Sequence, residues 1–119
     1  MIQNCSHIHT EIQNMRKVTK KIATAFTQGE PAASGNTTTD GNAVWLHGNR
    51  IAQREEDGSV WVTLAGWPTV TTRERVNGLC EELGTNFRIR QRNHGQVLTH
   101  QKSELTWDID IYERVYVVS

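Results

Sequence analysis

Hydrophobic positions near the start of the chain recur with the period of a helix. Val18, Ile22 and Phe26 lie on one face at helical spacing. Asn14 is suited to cap the first turn, and Gly29 is a typical residue just beyond a helix end. The pattern therefore predicts a first helix that begins just after Asn14 and ends before Gly29.

A second helical pattern lies in the middle of the chain, over residues 72–83. Its apolar stripe has the spacing i, i+3, i+4, i+7 and consists of Val76, Leu79, Cys80 and Leu83. Thr71 followed by Glu74 has the form of a capping box, and Gly84 is suited to end the helix. The stripe predicts that this helix packs on a sheet.

Elsewhere apolar and polar residues alternate with the period of two that is typical of half-buried strands. The alternating stretches are 44–47, a strand from Ile51, 60–64, 87–92, a return strand near Val97, 105–112 and 115–118. Residues 31–42 are rich in Gly, Thr and Asn and are predicted to form a long loop. Together the elements predict an α+β fold, with two helices packed on a mainly antiparallel sheet of five to six strands.

Composition narrows the class of protein. The chain has 119 residues, 13 basic and 13 acidic, with a formal net charge of zero. This size fits one domain, and the neutral balance argues against a DNA mimic and against a strongly basic, non-specific nucleic-acid binder. The longest apolar run falls far short of the ~20 residues that a membrane span needs, so no membrane partner is predicted.

The first 14 residues differ from the rest of the chain. They are polar and aperiodic, and we interpret residues 1–14 as a flexible extension, not a signal peptide, ahead of a single domain over residues 15–119. Cys5 lies in this extension, whereas Cys80 lies on the apolar helix face, where a free thiol acts as a small hydrophobe. Two cysteines are too few for a disulfide scaffold, which fits a reducing cytoplasm.

Several unusual short blocks occur in order along the first two thirds of the chain. They are SGNTTTDG at 34–41, LHGNRIA at 46–52, GW at 66–67 and TTRERVNGL at 71–79. In these blocks the segment from Met15 to Leu83 resembles a family of small proteins from tailed phages and related mobile elements. The resemblance implies a phage or prophage origin and a location in the host bacterial cytoplasm, and it implies no catalytic residue.

Arginines form the first candidate site. Arg88, Arg90 and Arg92 alternate along one predicted strand and therefore share a face. Arg73 and Arg75 lie at the start of the preceding helix, and we expect them nearby. Guanidinium groups suit phosphate binding, but the acidic positions of the 105–112 strand offer an alternative, a ladder of salt bridges between neighbouring strands.

Tryptophans form the second candidate site. Trp45 and Trp61 fall on the strand faces opposite the aliphatic residues, so they are exposed if the helices cover the aliphatic side. An exposed pair is typical of a binding surface or a dimer interface; the alternative is that the first helix or the 31–42 loop covers them. Trp67 is expected to fill the junction between sheet and helix, and Trp107 alternates with core residues.

Signals for reaction chemistry are weak. Asp108 and Asp110 share a strand face, as in some metal-dependent nucleases, yet no His or Glu lies at a telling spacing from them. His7 and His9 lie in the extension, and no nucleophile elbow is present. We therefore expect neither a catalytic site nor a cofactor.

Three functions remain for this chain. The first is a non-enzymatic phage protein that stoichiometrically inhibits a host defence complex, in the manner of an anti-CRISPR protein, by binding a host protein or ribonucleoprotein complex. Its contact surface would combine the two tryptophans with the arginines. The second is a nucleic-acid-binding accessory protein that uses the same arginines, and the third is a nuclease built on Asp108 and Asp110.

Overall fold

The computed structural model describes the backbone of residues 2–119 and the side chains of residues 15–119. This part of the chain forms two helices and nine strands, which confirms the predicted α+β class. The bounds are α1 Ile2–Gln28, β1 Ala32–Ser34, β2 Thr37–Thr39, β3 Ala43–Leu46, β4 Asn49–Arg54, β5 Val60–Val62, α2 Val70–Glu82, β6 Phe87–Arg92, β7 Gly95–His100, β8 Leu105–Ile109 and β9 Val115–Val118.

The strands form two antiparallel sheets rather than one. The larger sheet has the order β1-β2-β3-β4-β5-β9, and the smaller has the order β6-β7-β8. The last strand returns to the larger sheet, where Tyr116 pairs with Trp61. Alternation identifies a strand but does not specify its partner, so this division was not predicted.

The first helix begins earlier than the apolar pattern indicated. It starts at Ile2, so the predicted start after Asn14 is wrong, whereas its end at Gln28 before Gly29 agrees with the prediction. A start signal based on apolar periodicity does not detect polar helical turns. The side chains of residues 1–14, including Cys5, His7 and His9, lie outside the described part.

The segment predicted as a loop contains a hairpin. β1 and β2 pair antiparallel through a turn at Gly35, whose φ is 58°. Thr37 and Thr39 are buried, and the Thr39 hydroxyl donates to the Ala43 carbonyl at 2.6 Å. The loop prediction for 31–42 is therefore wrong, because threonine is β-branched and its hydroxyl finds partners inside the fold.

The second helix lies close to its predicted position but has a different cap. Thr69, not Thr71, is the N-cap, and its hydroxyl accepts from the Thr72 amide at 3.1 Å. The predicted capping box is therefore wrong, and Glu74 is used elsewhere. Gly84, with φ of 75°, follows the C-cap, as predicted.

The core is one cluster shared by both helices and both sheets. It contains Ile22 and Phe26 of α1, the predicted stripe of α2, the inner face of the larger sheet, and Ile89 and Leu98 of the smaller sheet. Neither helix of the described chain carries an apolar stretch of the length that crosses a membrane.

Candidate binding surface

The arginine row, defined as Arg88, Arg90 and Arg92, lies on one face of β6. All three side chains are exposed, while Ile89 between them is buried against α2. The predicted alternation is therefore confirmed. The row covers the length of the strand and presents three guanidinium groups to solvent.

The acidic neighbour that would neutralise this row is absent from the described structure. β7 lies between β6 and β8, and the residues opposite Arg88, Arg90 and Arg92 are Thr99, Val97 and Gly95. Among residues 15–119 the ion pairs are Lys20 with Glu82 and Arg75 with Glu74. The predicted alternative of a salt-bridge ladder is wrong, because the acidic strand is one position too far away.

Arg75 belongs to the interior rather than to a contact surface. It is 4% exposed. Its guanidinium donates to Thr37 Oγ1 at 3.0 Å, to Thr19 Oγ1 at 2.8 Å and to Glu74 Oε1 at 2.7 Å. It thereby ties α2 to α1 and to the hairpin. The expectation that Arg75 lies in a binding surface is wrong, since a helix residue at this position faces α1 and β2.

Arg73 is half-buried and has neutral partners. Its Nη1 donates to the Pro68 carbonyl at 3.1 Å and to the side-chain oxygens of Gln91 and Gln96 at 3.2 Å each. These acceptors fix the position of the guanidinium without neutralising its charge. Arg73 therefore lies beside β6, as expected.

Trp61 is covered, so the expectation of an exposed tryptophan pair is wrong. It is 2% exposed; its Nε1 donates to Glu55 at 2.8 Å, and the Arg114 guanidinium lies 4.3 Å from the ring centroid. The Arg50 guanidinium also lies over the ring, 5.5 Å from its centroid. Trp61 does lie on the outer face of the sheet as predicted, but these charged side chains cover it.

The other tryptophans also depart from expectation. Trp45 is half-buried on the larger sheet, whereas the arginine row lies on the smaller one. Trp67 is 56% exposed and does not fill a junction, and Trp107 is 45% exposed at the edge strand β8. The two tryptophans of the expected surface, Trp45 and Trp61, therefore lie on a different sheet from the arginine row.

The interhelical cleft is a cavity of about 940 Å³ between α1, α2 and β6. Arg16 and Lys20 line it from α1, Arg73 from α2, and Arg88 and Arg90 from β6. Sequence analysis missed it because its walls come from three distant segments. The one sequence signal that pointed to this cleft was the presence of several basic residues in each of α1, α2 and β6.

A smaller cavity of about 370 Å³ lies beside the N-terminal end of α2. Its walls include Leu46, Leu64, His47 and the exposed Trp67. His47 has a φ of 51°, and its Nε2 lies 3.3 Å from the Asn36 amide nitrogen. These walls are mostly apolar, with few charged groups that would indicate a ligand class.

The two candidate aspartates and the one cysteine of the described part differ in their surroundings. Asp108 and Asp110 are exposed, and in residues 15–119 no three metal-binding side chains lie together. Burial raises the pKa of the Cys80 thiol to about 11, so it stays protonated at neutral pH, in keeping with the predicted structural role.

The chain matches a known protein family. The sequence model of a phage protein family described as Kyanoviridae Gp96 protein matches residues 15–114, well over half of the chain. No curated protein and no solved structure is significantly similar to the chain. The match extends beyond Leu83, where the resemblance in the sequence motifs ended.

Proposed function

The chain belongs to the Kyanoviridae Gp96 protein family, and from this premise we propose that it is a non-enzymatic phage protein that binds a host macromolecule stoichiometrically. Its contact surface is the arginine row on β6. In its concrete form the protein inhibits a host defence complex, in the manner of an anti-CRISPR protein.

The observation that carries the proposal is the arginine row itself. Three guanidinium groups share one exposed strand face, and in residues 15–119 no carboxylate oxygen lies within salt-bridge distance of them. Arginine is enriched where proteins recognise one another, and its planar fork of donors matches carboxylates and phosphates. An unneutralised row in a neutral chain is therefore suited to an acidic partner.

The covered tryptophan reduces the range of partners that fit this surface. Because Trp61 is covered, the contact depends on charge more than on apolar burial. Such contacts accelerate association and weaken as salt concentration rises. An acidic face of a host protein or ribonucleoprotein complex fits these properties better than an apolar groove does.

A tagged protein used to capture partners from host lysate tests this proposal. We expect one complex at stoichiometric yield with the wild type, and loss of that complex with the triple variant Arg88→Ala/Arg90→Ala/Arg92→Ala. The matched control is Lys17→Ala/Lys21→Ala/Lys102→Ala, which removes the same charge from exposed positions outside β6. Equal capture by both triple variants, or no stoichiometric complex at all, contradicts the proposal.

Nucleic-acid binding is the second candidate, and one observation favours it. The β6–β7 hairpin and its flanks, residues 85–103, carry Arg88, Arg90, Arg92 and Lys102 but no acidic residue. In a gel shift, nucleic-acid affinity should fall steeply with salt, and the triple arginine variant should reduce the slope by about 2 to 3. No shift at low salt dismisses this candidate and leaves the first one standing.

A further inference from the structure

The interhelical cleft carries an excess of positive charge. Glu82 is paired with Lys20 at 2.9 Å and Glu74 with Arg75 at 2.7 Å, so in the described part Glu81 is the one lining carboxylate without an ion pair. Arg16, Arg73, Arg88 and Arg90 also line the cleft. Four arginines among the lining residues, against one carboxylate without an ion pair, favour an anionic ligand.

These guanidinium groups come from three walls. Arg16 extends from α1, Arg73 from the first turns of α2, and Arg88 and Arg90 from β6. Cationic residues on several walls of one cleft can contact several anionic oxygens of one ligand, whereas a flat row contacts an extended surface. Polar groups on several walls of a cavity are typical of a small-molecule site.

Arg73 is already held in position. Its three acceptors, the Pro68 carbonyl and the side chains of Gln91 and Gln96, are neutral and lie 3.1 to 3.2 Å away. A fixed guanidinium loses little side-chain entropy when a ligand binds. Its remaining donors stay available for charge-assisted hydrogen bonds.

The dimensions and the apolar part of the cleft limit the size of the ligand. Its volume of about 940 Å³ lies at the upper end of the range for small-molecule sites. Val70, which is 66% exposed, adds apolar surface beside the charges. The space exceeds the need of a single phosphate group.

We infer that the interhelical cleft binds a small molecule with a polyphosphate chain, either a nucleoside triphosphate or inorganic polyphosphate. The chain of phosphates lies between the guanidinium groups of α1, α2 and β6. In the nucleoside form, the base or sugar contacts Val70. This binding is separate from docking of a host macromolecule, although Arg88 and Arg90 contribute to both.

Calorimetric titration of the full-length protein at low salt tests the inference, with ATP, inorganic tripolyphosphate and adenosine as probes. We expect ATP to bind and adenosine not to bind. Arg16→Ala and Arg90→Ala should each raise the Kd for ATP by about tenfold or more, since each removes a charge-assisted contact. Tripolyphosphate that binds as tightly as ATP supports the inference and identifies the phosphate chain as the whole ligand.

Two control variants separate the cleft from other surfaces. Lys17→Ala removes a neighbouring charge from α1, and Arg92→Ala removes the one member of the arginine row that does not line the cleft. Both should leave the Kd for ATP unchanged, and a thermal melt confirms that each variant is folded. The inference is overturned if neither phosphate probe binds, if adenosine binds as tightly as ATP, or if Arg92→Ala weakens binding as much as Arg90→Ala.

The experiments distinguish failure of the cleft site from failure of the docking function. Loss of ATP binding with intact capture of a host complex rejects only the cleft site. Loss of capture with intact ATP binding rejects only the docking function.

Discussion

The side-chain amide of Asn77 binds both backbone groups of Ile89. Its Nδ2 donates to the Ile89 carbonyl at 2.9 Å, and the Ile89 amide donates to its Oδ1 at 2.8 Å. Asn77 thus takes the place of a neighbouring strand at the outer edge of β6. This contact fixes the second helix against the smaller sheet and closes an edge that is otherwise unpaired.

Asn77→Ala should destabilise the protein by about 1 to 3 kcal/mol, because it leaves the two Ile89 groups without partners. Urea denaturation measures the free energy of unfolding. Asn86→Ala, at an exposed position, is the control and should change it by no more than about 0.5 kcal/mol. Equal effects of the two variants would show that the edge contact contributes nothing specific.

Gly78→Ala should also be destabilising, although alanine favours helices. A Cβ at this position in α2 would collide with the Thr19 methyl group of α1. We expect a loss of about 1 to 3 kcal/mol, which is typical of overpacking. The measurement is again the free energy of unfolding in urea.

Thr19→Ser, combined with Gly78→Ala, tests whether the collision with the Thr19 methyl group causes this loss of stability. Serine keeps the hydroxyl that accepts from Arg75 at 2.8 Å and removes only the methyl group. In the double variant Thr19→Ser/Gly78→Ala, most of the loss in unfolding free energy should disappear. The coupling energy between the two substitutions should be about 1 kcal/mol or more. Additive effects of the two substitutions would place the strain elsewhere.

Trp61 and Trp67 should respond very differently to truncation. Trp61→Ala removes a buried ring together with its contacts to Glu55 and Arg114, and should cost about 3 to 5 kcal/mol. Trp67→Ala removes a largely exposed ring and should cost less than about 1 kcal/mol. A small effect of Trp61→Ala would restore the expectation that this ring is free to contact a partner.

The Cys80 thiol should make stability depend on pH in the alkaline range. Its pKa rises from 9.0 to about 11 on burial, so the unfolded chain releases the thiol proton first. The stabilising contribution is complete below pH 9 and is lost as pH rises toward 11, by up to about 3 kcal/mol. Urea denaturation across this range measures the effect.

The control for that pH dependence is Cys80→Ala, compared in a Cys5→Ser background so that one thiol remains in the reference protein. The difference in unfolding free energy between the two proteins should narrow between pH 9 and 11. A constant difference would mean that the buried thiol ionises as readily as an exposed one.

Sequence patterns predicted the parts of the fold that depend on local order. Alternation placed Arg88, Arg90 and Arg92 on one exposed face, and the apolar stripe of α2 is buried as expected. The period of a strand or helix determines which residues share a face, and this information is local. Which residues share a face can therefore be predicted without knowledge of the tertiary structure.

What covers a face depends on residues that are distant along the chain. The ring of Trp61 is covered by Arg114, which arrives with the segment that leads into the last strand. Arg16 and Arg88 line the same interhelical cleft because α1 and β6 both pack on α2. Neither relation has a local pattern, so neither could be predicted from periodicity.

The bonds of Arg75 link three segments that a sequence pattern treats as independent. The guanidinium connects Thr19 of the first helix and Thr37 of the hairpin to the second helix. If the hairpin detached, a charged group would lose its partners in the protein interior, which is costly. The backbone amides of β2 should therefore exchange with deuterium together with those of the helices, so that a segment with the composition of a loop opens only when the whole domain unfolds.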